Sequence, residues 1–247
     1  MKYLYETHLH TSEASACAVT NGSDYVYFYK KCGYNGIIVT DHFFNGNSAI
    51  DINDNSLDWN LKVDLYCLGY ENALAQAKKM NEENIDDLPF QVFFGIEFNF
   101  DGDEYLIYGI TKEWLKNHPD ILTYSHKKLF QEVNKIGGLM IQAHPFRLRS
   151  YMSSIHIHPR DVHGIEAYNA GNNPSENVLA YHFAKIHNLV ITSGSDMHDI
   201  SSIDTNNSML GGMEFEKPLE NIQDYITAVK DGKCNLKNIC KVAIDLS

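Results

Sequence analysis

The sequence predicts an α/β fold in which parallel strands are covered by helices, and three observations carry that expectation. Short apolar, β-branched runs alternate along the chain with stretches of helical period. Several of those runs end on a histidine or a carboxylate: His8 and His10, Asp41-His42, Glu97, His144, and Asp196 with His198. Chemistry gathers at the carboxyl ends of parallel strands when helices cover the outside. Finally, 247 residues, 44% hydrophobic and 21% charged, can bury a sizeable core as one domain, residues 1–247, because α/β barrels commonly run to about 250 residues.

Composition narrows the function classes. A formal charge of −12 with only three arginines argues against a generic nucleic-acid surface, which needs clustered Lys and Arg. A small substrate fits better than a long polyanion. No run approaches the roughly 18 apolar residues of a membrane span, and Met1 to His8 lacks the apolar core of a signal peptide, so a cytoplasmic protein without a membrane partner is expected. Cys17, Cys32, Cys67, Cys234 and Cys240 are odd in number and contain no Cys-x-x-Cys pair, which suggests neither a disulfide framework nor a thiolate zinc site. Twelve histidines are the compositional oddity.

The elements follow in order. Tyr3-Leu-Tyr5 feeds a strand that ends in His8 and His10, two residues on one face with Leu9 turned away. Ser23 is a candidate cap for a helix carrying Tyr25, Phe28, Tyr29 and Cys32, stopped by Gly33. Gly36 to Thr40 is the next strand, ending on Asp41-His42. Asn45 to Asn60, rich in Asn, Asp and Ser, is a long loop of the kind that acts as a lid, and one helix is expected from about Leu61 to Asn84.

Phe90 to Glu97 is an apolar strand delivering a carboxylate. A buried charge must be paired or coordinated, and bases are scarce nearby, so a metal is the favoured partner of Glu97. A polar turn at Asp101–Glu104 precedes the strand Tyr105–Gly109. Leu122, Leu129, Phe130, Val133 and Ile136 form a helical stripe that Gly137-Gly138 ends. Leu139 to His144 is a strand that Pro145 forces out of the sheet, with Arg147 and Arg149 just beyond, where a fork-shaped cation suits a phosphate.

A second His-x-His pair, His156 and His158, lies in a loop and shows how readily the motif arises by chance; the first pair is preferred because it caps an apolar run, and a substrate-loop or accessory role is the lesser reading of the second. Gly164–Tyr168 is a short strand. Asn173-Pro174-Ser175-Glu176 has the chemistry of a helix start, and Val178, Leu179, Phe183 and Ile186 are expected to bury that helix. Leu189-Val190-Ile191 then runs into Thr192-Ser-Gly-Ser-Asp-Met-His198, where Asp196 and His198 stand two apart and face one spot in an extended segment. Hard oxygen with imidazole suits zinc, manganese or iron. Leu219, Ile222, Tyr225, Ile226 and Val229 mark a closing helix ended by Gly232.

Taken together, His8-x-His10-Thr11, Thr40-Asp41-His42, Gly95-Ile96-Glu97, Ala143-His144-Pro145 and Gly194-Ser195-Asp196-Met197-His198 resemble, in order and across nearly the whole chain, the PHP (polymerase and histidinol phosphatase) family of metal-dependent phosphoesterases. The resemblance implies a distorted (βα)7 barrel with two or three divalent ions, such as zinc, manganese or iron, at its carboxyl face. It implies that His8, His10, Glu97 and Asp196 hold one metal, that Glu97 bridges to a second shared with His144, and that His42 and His198 hold a third. Two departures stand out. Where many members supply a further His or Asp shortly after His10-Thr11, this chain offers Glu13 and Cys17; where many place a histidine downstream of the bridging Glu, it has Asp103-Glu104-Tyr105. The second metal is then expected to take an oxygen ligand or to be weakly held.

The expected activity is hydrolysis of a small phosphomonoester, histidinol-phosphatase-like, by a metal-bound hydroxide, with Asp196, His198 and Arg147 in catalytic roles and Arg147 and Arg149 toward substrate. Asp41 is expected to orient a ligand histidine. The alternatives are a phosphodiesterase or exonuclease acting on short oligonucleotides or nucleotides and, in another class, a non-catalytic metal-binding regulatory barrel.

Overall fold

The computed structural model describes residues 2–149, 154–203 and 210–242. Its sheet is built on β1 (Tyr3–Leu9), β2 (Gly36–Val39), β3 (Gln91–Phe100), β4 (Asp103–Tyr108), β5 (Leu139–Gln142), β6 (Gly164–Asn169) and β7 (Val190–Gly194). These seven lie side by side in the order β7-β6-β5-β4-β3-β2-β1. All neighbours are parallel except β4, which is antiparallel to both β3 and β5. The reversal follows from the local sequence. Asp101 (φ 52°) and Gly102 (φ 100°) form a two-residue Asp-Gly turn with both φ values positive, the hairpin signal, so no helix separates β3 from β4.

The ring is nearly closed at its carboxyl end. The Thr7 hydroxyl donates to Ser193 O (2.7 Å), and His10 N donates to Met197 O (2.8 Å), so β1 meets the segment leaving β7 only where the histidines begin. Lower down, β1 pairs instead with β8 (Met213–Phe215), which continues to β9 (Cys234–Leu236). The result is a distorted (βα)7 barrel whose parallel strands all deliver their ends to one mouth.

Glu6 fastens this closure. Its carboxylate accepts from the N–H groups of Thr7, His8 and Ser195 and from the hydroxyls of Tyr29 and Ser195, and the side chain is fully buried. At the other end, α7 (Ile222–Lys230) plugs the barrel. Tyr225, Ile226 and Val229 pack with Tyr108, Leu139 and Ile141, and the Lys230 amine reaches Gly138 O at 2.6 Å.

Several helices differ from the expectation. The first, α1 (Gly22–Lys31), is capped by Asn21, whose side chain accepts from Asp24 N, and not by Ser23. The span expected as one helix is two: α2 (Trp59–Tyr66), capped by Asp58, and α3 (Leu68–Glu83), which meet at Cys67. Close approach explains the break. A Cβ on Gly69 would fall 1.9 Å from Thr11 Oγ1, and one on Gly22 would fall 2.0 Å from Gly69 O, so α3 must start at this angle to bring its glycine against α1 and the first loop.

A short α4 (Lys112–Lys116) follows β4. The next helix, α5 (His126–Lys135), starts after a Ser125 cap and leaves Leu122 in a preceding 3-10 turn, Ile121–Thr123. In α6 (Pro174–Ile186), Glu176 reaches back to Asn173 N at 2.9 Å as the sequence pattern predicts. Its buried face, however, is Glu176, Asn177, Ala180 and Ala184, while Leu179 and Ile186 are exposed. Small residues win that face because the helix lies tight on β6, where Asn177 pairs with Asn169. Residues 150–153, ahead of the second His-x-His pair, lie outside the described residues.

Candidate metal centre

Each strand end delivers a side chain to the barrel mouth. On β1 the alternation holds: His8 and His10 face inward, while Leu9 packs outward with Tyr25 and Val26. All seven histidines and carboxylates singled out in the sequence as metal ligands converge. His8 Nε2 lies 3.1 Å from Glu97 Oε1 and 3.4 Å from Asp196 Oδ1. His10 Nε2 lies 3.1 Å from Asp196 Oδ1, and His144 Nε2 lies 3.3 Å from Glu97 Oε1. The rings of His42 and His198 stack on His10 with centroids 4.1 and 4.3 Å away.

The cluster resolves into four overlapping groups whose ligand atoms lie within 4.8 Å of one another: His8, His10 and Asp196; His8, Glu97 and His144; His42, Glu97 and Glu104; and His10, His42 and His198. Two of the ligand candidates, His144 (φ 30°) and Asp196 (φ 55°), sit in the left-handed region, a strained conformation for residues other than glycine. Both lie just past a strand end, where that twist turns the side chain back over the mouth.

One pair of atoms tests whether cations fit. His42 Nδ1 and Glu97 Oε2 are 2.8 Å apart and buried, yet neither has a hydrogen-bond partner. They meet as an ion pair without a well-formed hydrogen bond, and buried polar atoms are nearly always satisfied, so this pair among imidazoles and carboxylates fits a divalent ion bound by both. The donor set suits zinc, manganese or iron.

The electrostatics agree. Burial opposes charge on His8, but Glu166, Asp196 and Glu97 outweigh it and hold the ring well above the usual histidine range. Burial likewise opposes charge on His42, and chiefly Glu97 pushes it up to about 11. His10 goes the other way, lowered by burial and by His42. Glu97 is held well below the carboxylate range, the charges of His8 and His42 overcoming its burial, and Asp196 is lowered in the same way by His8 and Arg147.

Three carboxylates were not assigned from the sequence. Glu104, in the stretch Asp103-Glu104-Tyr105, joins Glu97 and His42. Glu166, fully buried on β6, lies 2.9 Å from His8 Nδ1 and accepts from His144 N and from the Asn169 amide. Glu6 ties the backbone of His8 to Ser195. A signal did exist: Glu6 and Glu166, like Glu97, are charges inside apolar runs.

Glu166, and not Asp41, touches a histidine of the cluster directly. Asp41 accepts from Thr11 N, Thr11 Oγ1 and Ser15 Oγ and so holds the loop after β1, reaching a ligand histidine only through Ser15, whose Oγ is 3.4 Å from His10 Nδ1. Burial pushes its carboxyl up to about 7. A carboxylate behind a metal-binding imidazole fixes its tautomer and raises its basicity. Glu166→Gln is therefore expected to weaken metal binding about 10- to 100-fold, read by competition with a chromogenic chelator, while the circular dichroism of the fold is retained.

Arg147 reaches the cluster: Nη1 is 2.6 Å from Asp196 Oδ2, Nε is 2.7 Å from Asn172 Oδ1, and Nη2 is 2.8 Å from Asn169 Oδ1. Arg149 does not. It contacts Leu148 O, Gly171 O and, at 3.7 Å, Glu176. The second histidine pair also lies apart, His156 on Asp103 (2.7 Å) and His158 stacked on His126.

The sequence matches no family model and no curated protein. Solved structures match its fold. A two-domain protein from Bacteroides vulgatus containing a predicted PHP-like metal-dependent phosphoesterase is 17% identical, with a TM-score of 0.64 over 96% of this chain and 64% of that one. This chain thus spans less than two thirds of that protein. A candidate metal-dependent phosphoesterase from Bifidobacterium adolescentis is 15% identical, with a TM-score of 0.56 over 98% and 97% of the two chains. An amidohydrolase from Chromobacterium violaceum, solved with sulfate, is 11% identical, with a TM-score of 0.52 over 94% and 97%. The fold is that of the PHP-like metal-dependent phosphoesterases. No helix among the described residues is long and apolar enough to cross a membrane.

Proposed function

We propose that this protein is a metal-dependent phosphoesterase that hydrolyses a small phosphomonoester at the carboxyl mouth of the barrel. The observation that carries the reading is the convergence of five imidazoles with Glu97, Glu104 and Asp196, in which His42 Nδ1 and Glu97 Oε2 meet without a well-formed hydrogen bond. His8, His10 and Asp196 would hold one ion, Glu97 would bridge it to a second with His144 and Glu104, and His42 and His198 would hold a third. Bound divalent ions neutralise phosphate charge, acidify water and align attacking and leaving oxygens.

The chain's own residues supply the rest. Arg147, anchored by Asn169 and Asn172, directs its guanidinium at the rim of the cluster, where releasing Asp196 to a cation would free Nη1 for a phosphoryl oxygen. His198 lies at the more open side of the mouth, its side chain 28% exposed, so water reaching that side would protonate the leaving alkoxide. Glu166 and Glu6 keep His8 oriented. The acidic chain, with a net charge of −12, disfavours long nucleic acids as substrates.

The test is phosphate release by the metal-loaded protein across small phosphomonoesters, L-histidinol phosphate among them, with dinucleotides and short oligonucleotides in parallel and a chelated control. Metal-dependent turnover of one monoester supports the reading. Turnover confined to oligonucleotides replaces it with a diesterase, and silence on every substrate rejects both.

A further inference from the structure

The nitrogens of Arg147 are each taken by a different side chain. Nε donates to Asn172 Oδ1 (2.7 Å), Nη2 to Asn169 Oδ1 (2.8 Å) and Nη1 to Asp196 Oδ2 (2.6 Å). A guanidinium offers donors only, so both amides must turn their oxygens to it, and their own nitrogens then need acceptors. Asn169 Nδ2 finds Glu166 Oε2 (2.8 Å), and Asn172 Nδ2 finds Asn177 Oδ1 (2.9 Å). Asn177, buried near the start of α6, also accepts from Asn169 N (3.1 Å) and donates to Asn169 O (3.0 Å). Every amide in this relay can face only one way. One end of it reaches the metal centre, since Glu166 lies 2.9 Å from His8 Nδ1.

Of the five N–H groups of a guanidinium, three are spent here, so Nη1 and Nη2 keep one each. The two amides occupy the edge formed by Nε and Nη2, which turns the end with the terminal nitrogens toward Asp196 and the cluster. Arg149 is held differently: it donates to the backbone carbonyls of Leu148 and Gly171, and its side chain is 33% exposed.

We infer that Asn172 and Asn177 are positioning residues that make Arg147 a fixed clamp for phosphoryl oxygens, and that this clamp selects monoesters over diesters. The inference rests on the phosphoesterase reading of the mouth and names what sets its substrate class. A monoester phosphoryl group carries three oxygens besides the ester oxygen, and a diester one fewer. Cations that hold two of them exhaust a diester, whereas a monoester keeps a third for Arg147. A free arginine would swing to share an oxygen already bound; a bracketed one stays where the third oxygen lies, and its ordering is complete before substrate arrives.

The experiment uses the whole chain. In metal-free protein with isotope-labelled arginine, nitrogen NMR is expected to show slow guanidinium rotation, with separate Nη signals, for Arg147 and averaged signals for Arg149. Asn172→Ala and Asn177→Ala should merge the Arg147 signals, and Asn172→Asp, which keeps an oxygen at Nε, should restore them. Metal-loaded protein is then titrated calorimetrically with inorganic phosphate and with dimethyl phosphate. The wild type is expected to prefer phosphate. Asn172→Ala should weaken phosphate about tenfold, the worth of one hydrogen bond to a charged group, and leave dimethyl phosphate and metal content unchanged; a merely structural role would weaken both anions alike. Asn172 is half-buried in a loop, so its variants are expected to fold, and circular dichroism checks them and the buried Asn177→Ala.

Averaged Arg147 signals in the wild type, equal affinity for the two anions, or phosphate binding that Asn172→Ala leaves unchanged or weakens together with dimethyl phosphate overturns the inference. If phosphate still binds only to the metal-loaded wild type, the phosphoesterase reading survives that failure. A metal-loaded wild type that binds neither anion removes the reading and the clamp with it.

Discussion

Asp196→Ala is expected to lower metal content and phosphate release together, the rate by about a thousandfold, since cation stabilisation of a phosphoryl transition state is worth several kcal/mol. Asp196 is the most connected carboxylate of the mouth, within 3.4 Å of His8 and His10 and 2.6 Å from Arg147. Removing it takes away a donor and leaves Arg147 partly buried with its charge uncompensated, so the metal-free fold should also lose about 3 kcal/mol. Asp196→Asn separates the two effects, because an amide still accepts from Arg147 but binds cations poorly. Metal analysis and phosphate release are read on both variants. Normal metal content with normal turnover in Asp196→Ala would remove the residue from the centre and with it the proposed mechanism.

Metal uptake is expected to release protons and to tighten steeply with pH. In the metal-free protein His8 lies well above the ordinary histidine range and His42 is pushed up to about 11, both held charged at neutral pH by Glu97 and its neighbours. Ligand imidazoles must be neutral, so binding expels about two protons and apparent affinity should rise about a hundredfold per pH unit near neutrality. Calorimetry in buffers of differing ionisation heat counts those protons. A pH-independent affinity would contradict the assignment of both rings as ligands.

The same groups set the stability of the metal-free fold with opposite signs. His42, raised, stabilises the fold fully below the unfolded histidine value, and the contribution is lost as pH climbs through about 11. Glu97 and Asp196, lowered, stabilise it above the unfolded carboxylate values and lose that contribution as pH falls through their depressed ones. Metal-free protein should therefore be most stable between these limits, and mild alkali should weaken its internal pairing while strengthening its hold on metal.

Some of this was legible residue by residue. His8 and His10 are two apart on a strand and must share a face, and Glu97, in an apolar run without nearby bases, needs a counter-charge wherever it goes. The polar run Asp101–Glu104 marked a turn, though β4 already starts at Asp103, and Asn173-Pro174 with Glu176 marked the start of α6. Arg147 lay close enough to a strand end to be drawn to the mouth. These are local facts, set by strand alternation, turn chemistry and the cost of burying charge.

Other features depend on neighbours distant in sequence. The single helix expected from Leu61 to Asn84 breaks at Cys67 because Gly69 must meet Thr11 and Gly22, a contact no local pattern encodes. Leu179 and Ile186 match a helical stripe, but the face of α6 that lies tight on β6 carries Asn177, Ala180 and Ala184 instead. Glu166, where Asp41 was expected, meets His8 because β6 lies beside β7 and across the mouth from β1. Hydrophobic period and residue chemistry thus determined which strands form and which side chains their ends carry. Sheet order, helix packing and the left-handed turns at His144 and Asp196 decided which of those side chains meet, because such contacts join residues far apart in the chain and exist only once the ring has closed.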